Sequence, residues 1–294
     1  MTDPDLVRSL RQHVDRMAGL IGPRHLGKPQ TIRSTTKFLE HELAVRGAKV
    51  THESYIASGQ EVSNLIVEWR GIERPDEILI IGAHYDTVPS TPGADDNASA
   101  VAVLLEIIGR LTGEKFDRTV RFVFFPCEEP PHFHLGEMGS QIHSCRCRTQ
   151  EENVIGMLCL EMLGFFTDAP DSQKLPPGIP KCLHWLFPRK GNFLAAVANP
   201  ASTLLLMRFR QGFKRASTFP LFTIPLPEKI REIRLSDHSN FWDQGFPALM
   251  LTDTSFLRNP HYHQPSDLPE TLDYERMADL TIGICGAIRA LATT

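Results

Sequence analysis

The sequence predicts an α/β fold, a three-layer sandwich in which a mixed, mostly parallel central sheet is flanked by helices. Two observations predict it. Ile78 to Ile81, Val120 to Phe125, Val154 to Leu160 and Ala248 to Leu251 are short, mostly continuous apolar runs, as expected of strands covered on both faces. Between and after them stand helical stretches: Asn97 to Leu111, roughly Gly139 to Glu151, Ser202 to Lys214, and a closing helix from Asp273 to Leu291.

The elements follow in order. The chain opens with a helix that has Asp3 as N-cap, Pro4 in the first turn, and Leu6, Leu10, Val14, Met17 and Ile21 on one face. A second helix runs from Ile32 to Arg46 and ends at Gly47; residues 1–47 are therefore expected to pack on the core as N-terminal helices. Val50 to Ile56 and Asn64 to Trp69 alternate in part, which suits an outer antiparallel hairpin. The Pro-rich stretch Asp168 to Arg189 interrupts the pattern and is too short for a domain, so residues 165–190 are expected to form a loop over one end of the sheet. A single domain over 1–294 accommodates all of this, and 41% hydrophobic residues suffice for its core.

Composition excludes several functions. With 31 basic against 35 acidic residues there is no electrostatic footprint for nucleic acid or an anionic membrane. No apolar run approaches the length of a bilayer span, so no membrane partner is expected. The first residues lack the basic, apolar and small-residue regions of a signal peptide, and six cysteines without a CxxC pair form no disulfide framework. Both point to the cytoplasm.

Sites in open α/β sheets form beyond the carboxyl ends of the strands. There the sequence delivers His84 and Asp86 in GAHYD, Glu128 and Glu129 in PCEEP, Glu161 after Leu160, and His261 and His263 in the segment after Leu251. Asp95 and Asp96 lie in GADDNASA, on the connection leaving the first of these strands. Carboxylates and imidazoles gathered at one edge, without a glycine-rich phosphate loop, point to metal. The set exceeds the three ligands of a single catalytic zinc. Two ions sharing a carboxylate would use it, with a further carboxylate to move a proton; Glu128 and Glu129 can divide the roles of base and ligand.

These stretches resemble, in order, the motifs of metallopeptidase family 28, the co-catalytic zinc aminopeptidases: GAHYDTV, GADDNASA, the CEEP pair, LEMLG, SDHSNFWDQGFPALM and NPHYHQPSD. The resemblance runs from about Asn64 to the C-terminal helix. It implies a zinc-exopeptidase fold, two Zn2+ ions, and a peptide substrate with a free N-terminus. Carried over residue by residue, it makes His84 and Glu161 ligands of one zinc, Glu129 and His263 ligands of the other, and Asp96 the bridge. Glu161 stands where the family commonly has Asp. Glu128 resembles the general base, and Asp86 the carboxylate that orients an imidazole. His238 resembles a pocket residue, to which Tyr262 and Met138 are added as substrate-pocket candidates. The order Y-H-x-x-x-D favours His263 over His261.

Each signal also has a bland reading. Asp95 or Asp96 can cap the helix that begins at Asn97, or Asp95 and Asn97 can cap and support it together, and an adjacent pair of glutamates is often a solvated turn. His132 and His134 are expected as surface loop histidines, and Cys127 as buried filler. Cys145 and Cys147, at i and i+2 of a helix, do not share a face. Glutaminyl cyclases, which use one zinc to cyclise an N-terminal glutamine, share part of this pattern, as would a non-catalytic binding relative. The complete GADDNASA favours two metals and hydrolysis. Side-chain preference falls to Pro130 to Met138 and Phe165 to Phe193, where no pattern translates into a substrate.

Overall fold

Asp3 opens the first helix as its side chain predicts, accepting hydrogen bonds from the N–H groups of Asp5 and Leu6. The computed structural model describes residues 3–293; Met1, Thr2 and Thr294 of the expected domain 1–294 lie outside the described residues. The helices are α1 (Pro4–Val14), α2 (Pro29–Val45), α3 (Ala100–Leu111), the single turn α4 (His132–Leu135), α5 (Gly139–Thr149), α6 (Thr203–Ala216), α7 (His238–Asp243) and α8 (Tyr274–Ala292). The strands are β1 (Val50–Ala57), β2 (Gln60–Trp69), β3 (Arg74–His84), β4 (Arg118–Phe125), β5 (Asn153–Glu161), β6 (Leu194–Ala198), β7 (Leu221–Pro225) and β8 (Ala248–Thr252). All eight join one sheet in the order β1-β2-β4-β3-β5-β8-β6-β7.

The four strands read from continuous apolar runs, β4, β3, β5 and β8, are the parallel centre of that sheet. Alternation along each divides their side chains between two cores. Leu79 and Ile81 of β3, with Val120 and Phe122 of β4, pack with α1, α3, α6 and α8 on one face. Ile78, Ile80, Val123 and Phe125 meet Cys147 of α5 and Phe241 and Trp242 of α7 on the other. That is the expected three-layer sandwich. Among the described residues, no helix is long and apolar enough to cross a membrane.

The order of the strands places the site. From β3 the chain crosses through α3 to β4 on one side, then through α5 to β5 on the other. Connections therefore diverge at the carboxyl end of β3, where a crevice opens. Strands β6 and β7 escape sequence reading. LAAVA is short and alanine-rich, with weak strand propensity, and β6 runs antiparallel to β8 at the far side of the sheet.

Candidate metal centre

His84 is the last residue of β3 and Glu161 the last of β5, so adjacent parallel strands end on an imidazole and a carboxylate. The chain then turns at Gly93, where φ is +64° and a Cβ would lie 2.3 Å from the Asp96 carbonyl oxygen; only glycine fits. Residues 94–99 form a tight, distorted turn ahead of α3, and Asp96 and Asn97 depart from helical geometry.

Two groups of ligand-type atoms result, and they share Asp96: His84, Asp96 and Glu161, and Asp96, Glu129 and His263. His84 Nε2 lies 3.4 Å from both Asp96 Oδ1 and Glu161 Oε2. His263 Nε2 lies 3.1 Å from Asp96 Oδ2 and 3.2 Å from Glu129 Oε2. A tetrahedral ion with bonds of about 2.0–2.1 Å needs ligand atoms about 3.3 Å apart. The donor set suits zinc, and the Nε2 atoms of His84 and His263 are buried without a hydrogen-bond partner. The residues therefore fit the metal that the resemblance implies.

The other residues expected at the site surround these two triads. Asp86 acts in two directions. Its oxygens accept from the backbone N–H groups of Glu128 and Glu129, each at 3.1 Å, while Oδ1 stands 3.5 Å from His84 Nδ1. Glu128 Oε2 is 3.9 Å from His84 Nε2 and belongs to neither triad. His261 turns away, its Nδ1 within 2.9 Å of Ser266 Oγ.

Crowding like charges in a buried site shifts their protonation. Burial, and then the charges of Glu129 and Glu161, drive Glu128 well above the usual carboxylate range against the pull of His84. Burial and Asp96 raise Glu129 to about 8 despite the imidazole of His263 beside it. Burial would lower His263, but the adjacent carboxylates of Asp96 and Glu129 win and raise it to about 10. Asp96 is the exception: burial is outweighed by the imidazoles of His263 and His84 at 3.1 and 3.4 Å, which hold it well below the usual range. Of Asp96, Glu128 and Glu129, the shared residue alone is held in its ionised form.

Several sequence expectations need correcting. Asp95 and Asn97 do not cap α3. Asp95 accepts from Gly164 N–H and Asn259 Nδ2, while Asn97 donates to the Leu160 carbonyl and accepts from Met162 N–H. They tie the Asp96 turn to the loops beyond β5 and β8. Of the pocket candidates, Tyr262 lines the cavity that Asp96, Glu128 and Glu161 also line, and its ring stacks on His263 at 3.8 Å. His238 and Met138 do not line it. His238 is fully buried, bonded through Nε2 to the Ile233 carbonyl with its ring edge-on to Trp242, and burial lowers its pKa to about 4. Met138 is buried at the start of α5, its sulfur near Asn240 Nδ2.

The expected loop over the sheet does line the cavity, through Gln173, Leu175 and Phe187, whereas Trp185 is 79% exposed and neither lines it nor packs the loop down. Pro130 to His132 line a separate cavity with Asp86 and Glu129. His132 is buried beside Glu137, not on the surface like His134. All six cysteines are free. Sequence reading missed two supports. Asp267 accepts from the backbone N–H groups of Asp95 and Asp96, and Ser236 Oγ donates to Glu161 Oε2 at 2.6 Å. Asp267 closes the NPHYHQPSD motif and Ser236 opens SDHSNFWDQGFPALM, a position that could have flagged either.

Residues 64–287 match peptidase family M28. "Uncharacterized protein YfbL" of Escherichia coli (strain K12) is 33% identical over 284 residues, covering 94% of the chain and 85% of its own length. Leucine aminopeptidase 1 of Trichophyton equinum is 28% identical over 234 residues, covering 74% of the chain; the chain spans just over half, 56%, of that relative. Among solved structures, the zinc aminopeptidase BSAP of Bacillus subtilis superposes with a TM-score of 0.78 at 14% identity over 98% of the chain and 95% of its own. Fimbriiglobus ruber glutaminyl cyclase superposes with a TM-score of 0.68 at 19% identity, again over 98% of the chain and 95% of its own. At these identities the structural likenesses speak for the fold.

Proposed function

The chain belongs to peptidase family M28, and from that premise we propose that it is a zinc-dependent aminopeptidase that hydrolyses N-terminal residues from peptides at a site for two ions. The observation that carries this reading is the pair of triads joined at Asp96, since one ion would leave half the donors unused.

His84, Asp96 and Glu161 would hold one ion, and Asp96, Glu129 and His263 the other. When bound, zinc supplies Lewis-acid polarisation of the scissile carbonyl and a water acidified to near neutrality. Glu128 accepts the proton from the attacking water and returns it to the departing amine as the carbon–nitrogen bond breaks. Its position outside both triads, 3.9 Å from His84 Nε2, suits it to carry that proton between the two steps. Asp86 holds both glutamates through their backbone N–H groups and faces His84 Nδ1 at 3.5 Å, placed to orient that imidazole. Tyr262 and the apolar wall of the cavity receive the substrate's first residue.

Zinc content measured on purified protein, together with turnover of aminoacyl anilides and of peptides beginning with glutamine, tests the proposal. Two equivalents of zinc with release of the amine are expected. One equivalent with cyclisation of glutamine would replace the reading with that of a glutaminyl cyclase. Stoichiometric zinc without any turnover would mark a binding relative.

A further inference from the structure

Arg24 lies in the N-terminal segment, ahead of residues 64–287 that match the family, and it is fully buried. Among the described residues it has no carboxylate partner. Its guanidinium instead donates only to main-chain carbonyls: Tyr85 through Nε at 2.9 Å, Gly93 through Nη2 at 2.9 Å, and Pro92, Gly22 and Met17 through Nη1. Its own backbone is clasped as well. Arg24 N–H donates to Thr87 Oγ1, and Thr87 N–H donates to the Arg24 carbonyl.

These acceptors bracket the metal centre. Tyr85 and Thr87 flank Asp86, which holds the N–H groups of the two glutamates and stands 3.5 Å from His84 Nδ1; Pro92 and Gly93 lead directly into Asp95 and Asp96. A planar fork of donors joins the strand exit that carries one ligand to the turn that carries the bridging ligand. Burial makes a free guanidinium costly, and lowers the Arg24 pKa to about 10 against the attraction of Asp267, Asp86, Asp96 and Glu129. A simple loop clip needs no buried cation. A cation also counters the mutual repulsion of the site's carboxylates.

We infer that Arg24 is a positioning residue for the two-metal centre, setting the separation between His84 and Asp96, and that the connection between the N-terminal helices is thereby part of the site and not only packing. This inference rests on the two-zinc reading above. Two effects of opposite sign can be separated. If Arg24 acts by geometry, losing the fork weakens zinc binding even when the charge is kept; if it acts only by charge, removing it relieves repulsion of the ions and strengthens binding.

The test is competition of Zn2+ between a chromophoric chelator and wild-type protein, Arg24→Lys, Arg24→Met and Thr87→Val, at a temperature well below each Tm. Arg24→Lys is expected to bind zinc about 10- to 100-fold more weakly than wild type. Arg24→Met should be weakened at least as much, and Thr87→Val, which keeps the fork, less than either. Leu10→Ala, a buried cavity in the same N-terminal segment, is the control: its Tm falls while its zinc affinity stays at the wild-type value. Wild-type affinity in Arg24→Lys, or tighter binding in Arg24→Met, overturns the inference. Equal weakening in Leu10→Ala also overturns it, because a general loss of stability would then explain the effect. If Arg24→Met does not fold, Arg24→Lys and Thr87→Val decide. A wild-type protein that takes up no zinc sinks the two-zinc reading itself, a separate outcome.

Discussion

One cavity has two unlike ends. At the metal end, Asp96, Glu128 and Glu161 stand at strand ends or on turns held by backbone hydrogen bonds, and each carboxylate or its backbone has a named partner. At the other end, Leu175, Phe187, Phe193 and Phe222 form a wall by apolar contact, with ring pairs such as Phe193 against Phe222 at 5.7 Å. Directional bonds fix atoms to fractions of an ångström, whereas apolar contact fixes volume. The first end can therefore specify chemistry and the second only shape, and substitutions should separate the two.

The largest effect is expected at Asp96. Asp96→Asn removes the shared anion, so zinc content should fall from two equivalents toward none and turnover to background; Asp95→Asn should lose less metal, because it disturbs only the bonds from Gly164 and Asn259. Metal analysis of the two proteins side by side decides, and equal loss would mean that Asp96 is not the bridge. Next is Glu128→Gln, which should keep both ions yet lower kcat about 10²- to 10⁴-fold, the range for a proton-transfer residue. A metal-loaded Glu128→Gln enzyme with full turnover would remove Glu128 from the chemistry.

Zinc uptake should also depend on pH. In the ion-free site His263 holds its proton up to about 10 and Glu129 up to about 8. Ligation requires both to lose it, so affinity should rise with pH through this window, and calorimetry in buffers of differing ionisation enthalpy should show protons released on binding. Affinity that does not vary between about pH 6 and about pH 8 would contradict the coupling.

At the apolar end smaller effects are expected. Phe222→Ala should cost about tenfold in kcat/KM for substrates with a large apolar first residue, with zinc content unchanged. Smallest of all, Trp185→Ala should move stability by no more than about 0.5 kcal/mol, since that ring is 79% exposed. A metal defect in Phe222→Ala would show that the two ends are coupled and erase the contrast.

The same contrast explains what could be read in advance. His84, Glu128, Glu129, Glu161 and His263 fall at strand ends or in short motifs, where residue type and position in the chain together imply the chemistry. Apolar runs revealed β3, β4, β5 and β8 because those strands are covered on both faces. His238 was misplaced because a histidine inside a motif resembles a pocket residue, although its ring satisfies the Ile233 carbonyl within the protein. Arg24 was invisible, because its partners are backbone carbonyls, which every residue has, and nothing in the sequence records that it reaches them. The cavity wall was legible only in part: Leu175, Phe187 and Phe193 fall within the stretch expected to shape the pocket, while Phe222 comes from β7, a strand too short to announce itself.

The grip of Asp86 on its two neighbours has an evolutionary consequence. It holds them by N–H groups, which nineteen of the twenty amino acids supply, proline being the exception. The frame that presents positions 128 and 129 therefore depends on the acid at 86 and not on which side chains those two positions display. A lineage can change the reaction without rebuilding the frame that presents it.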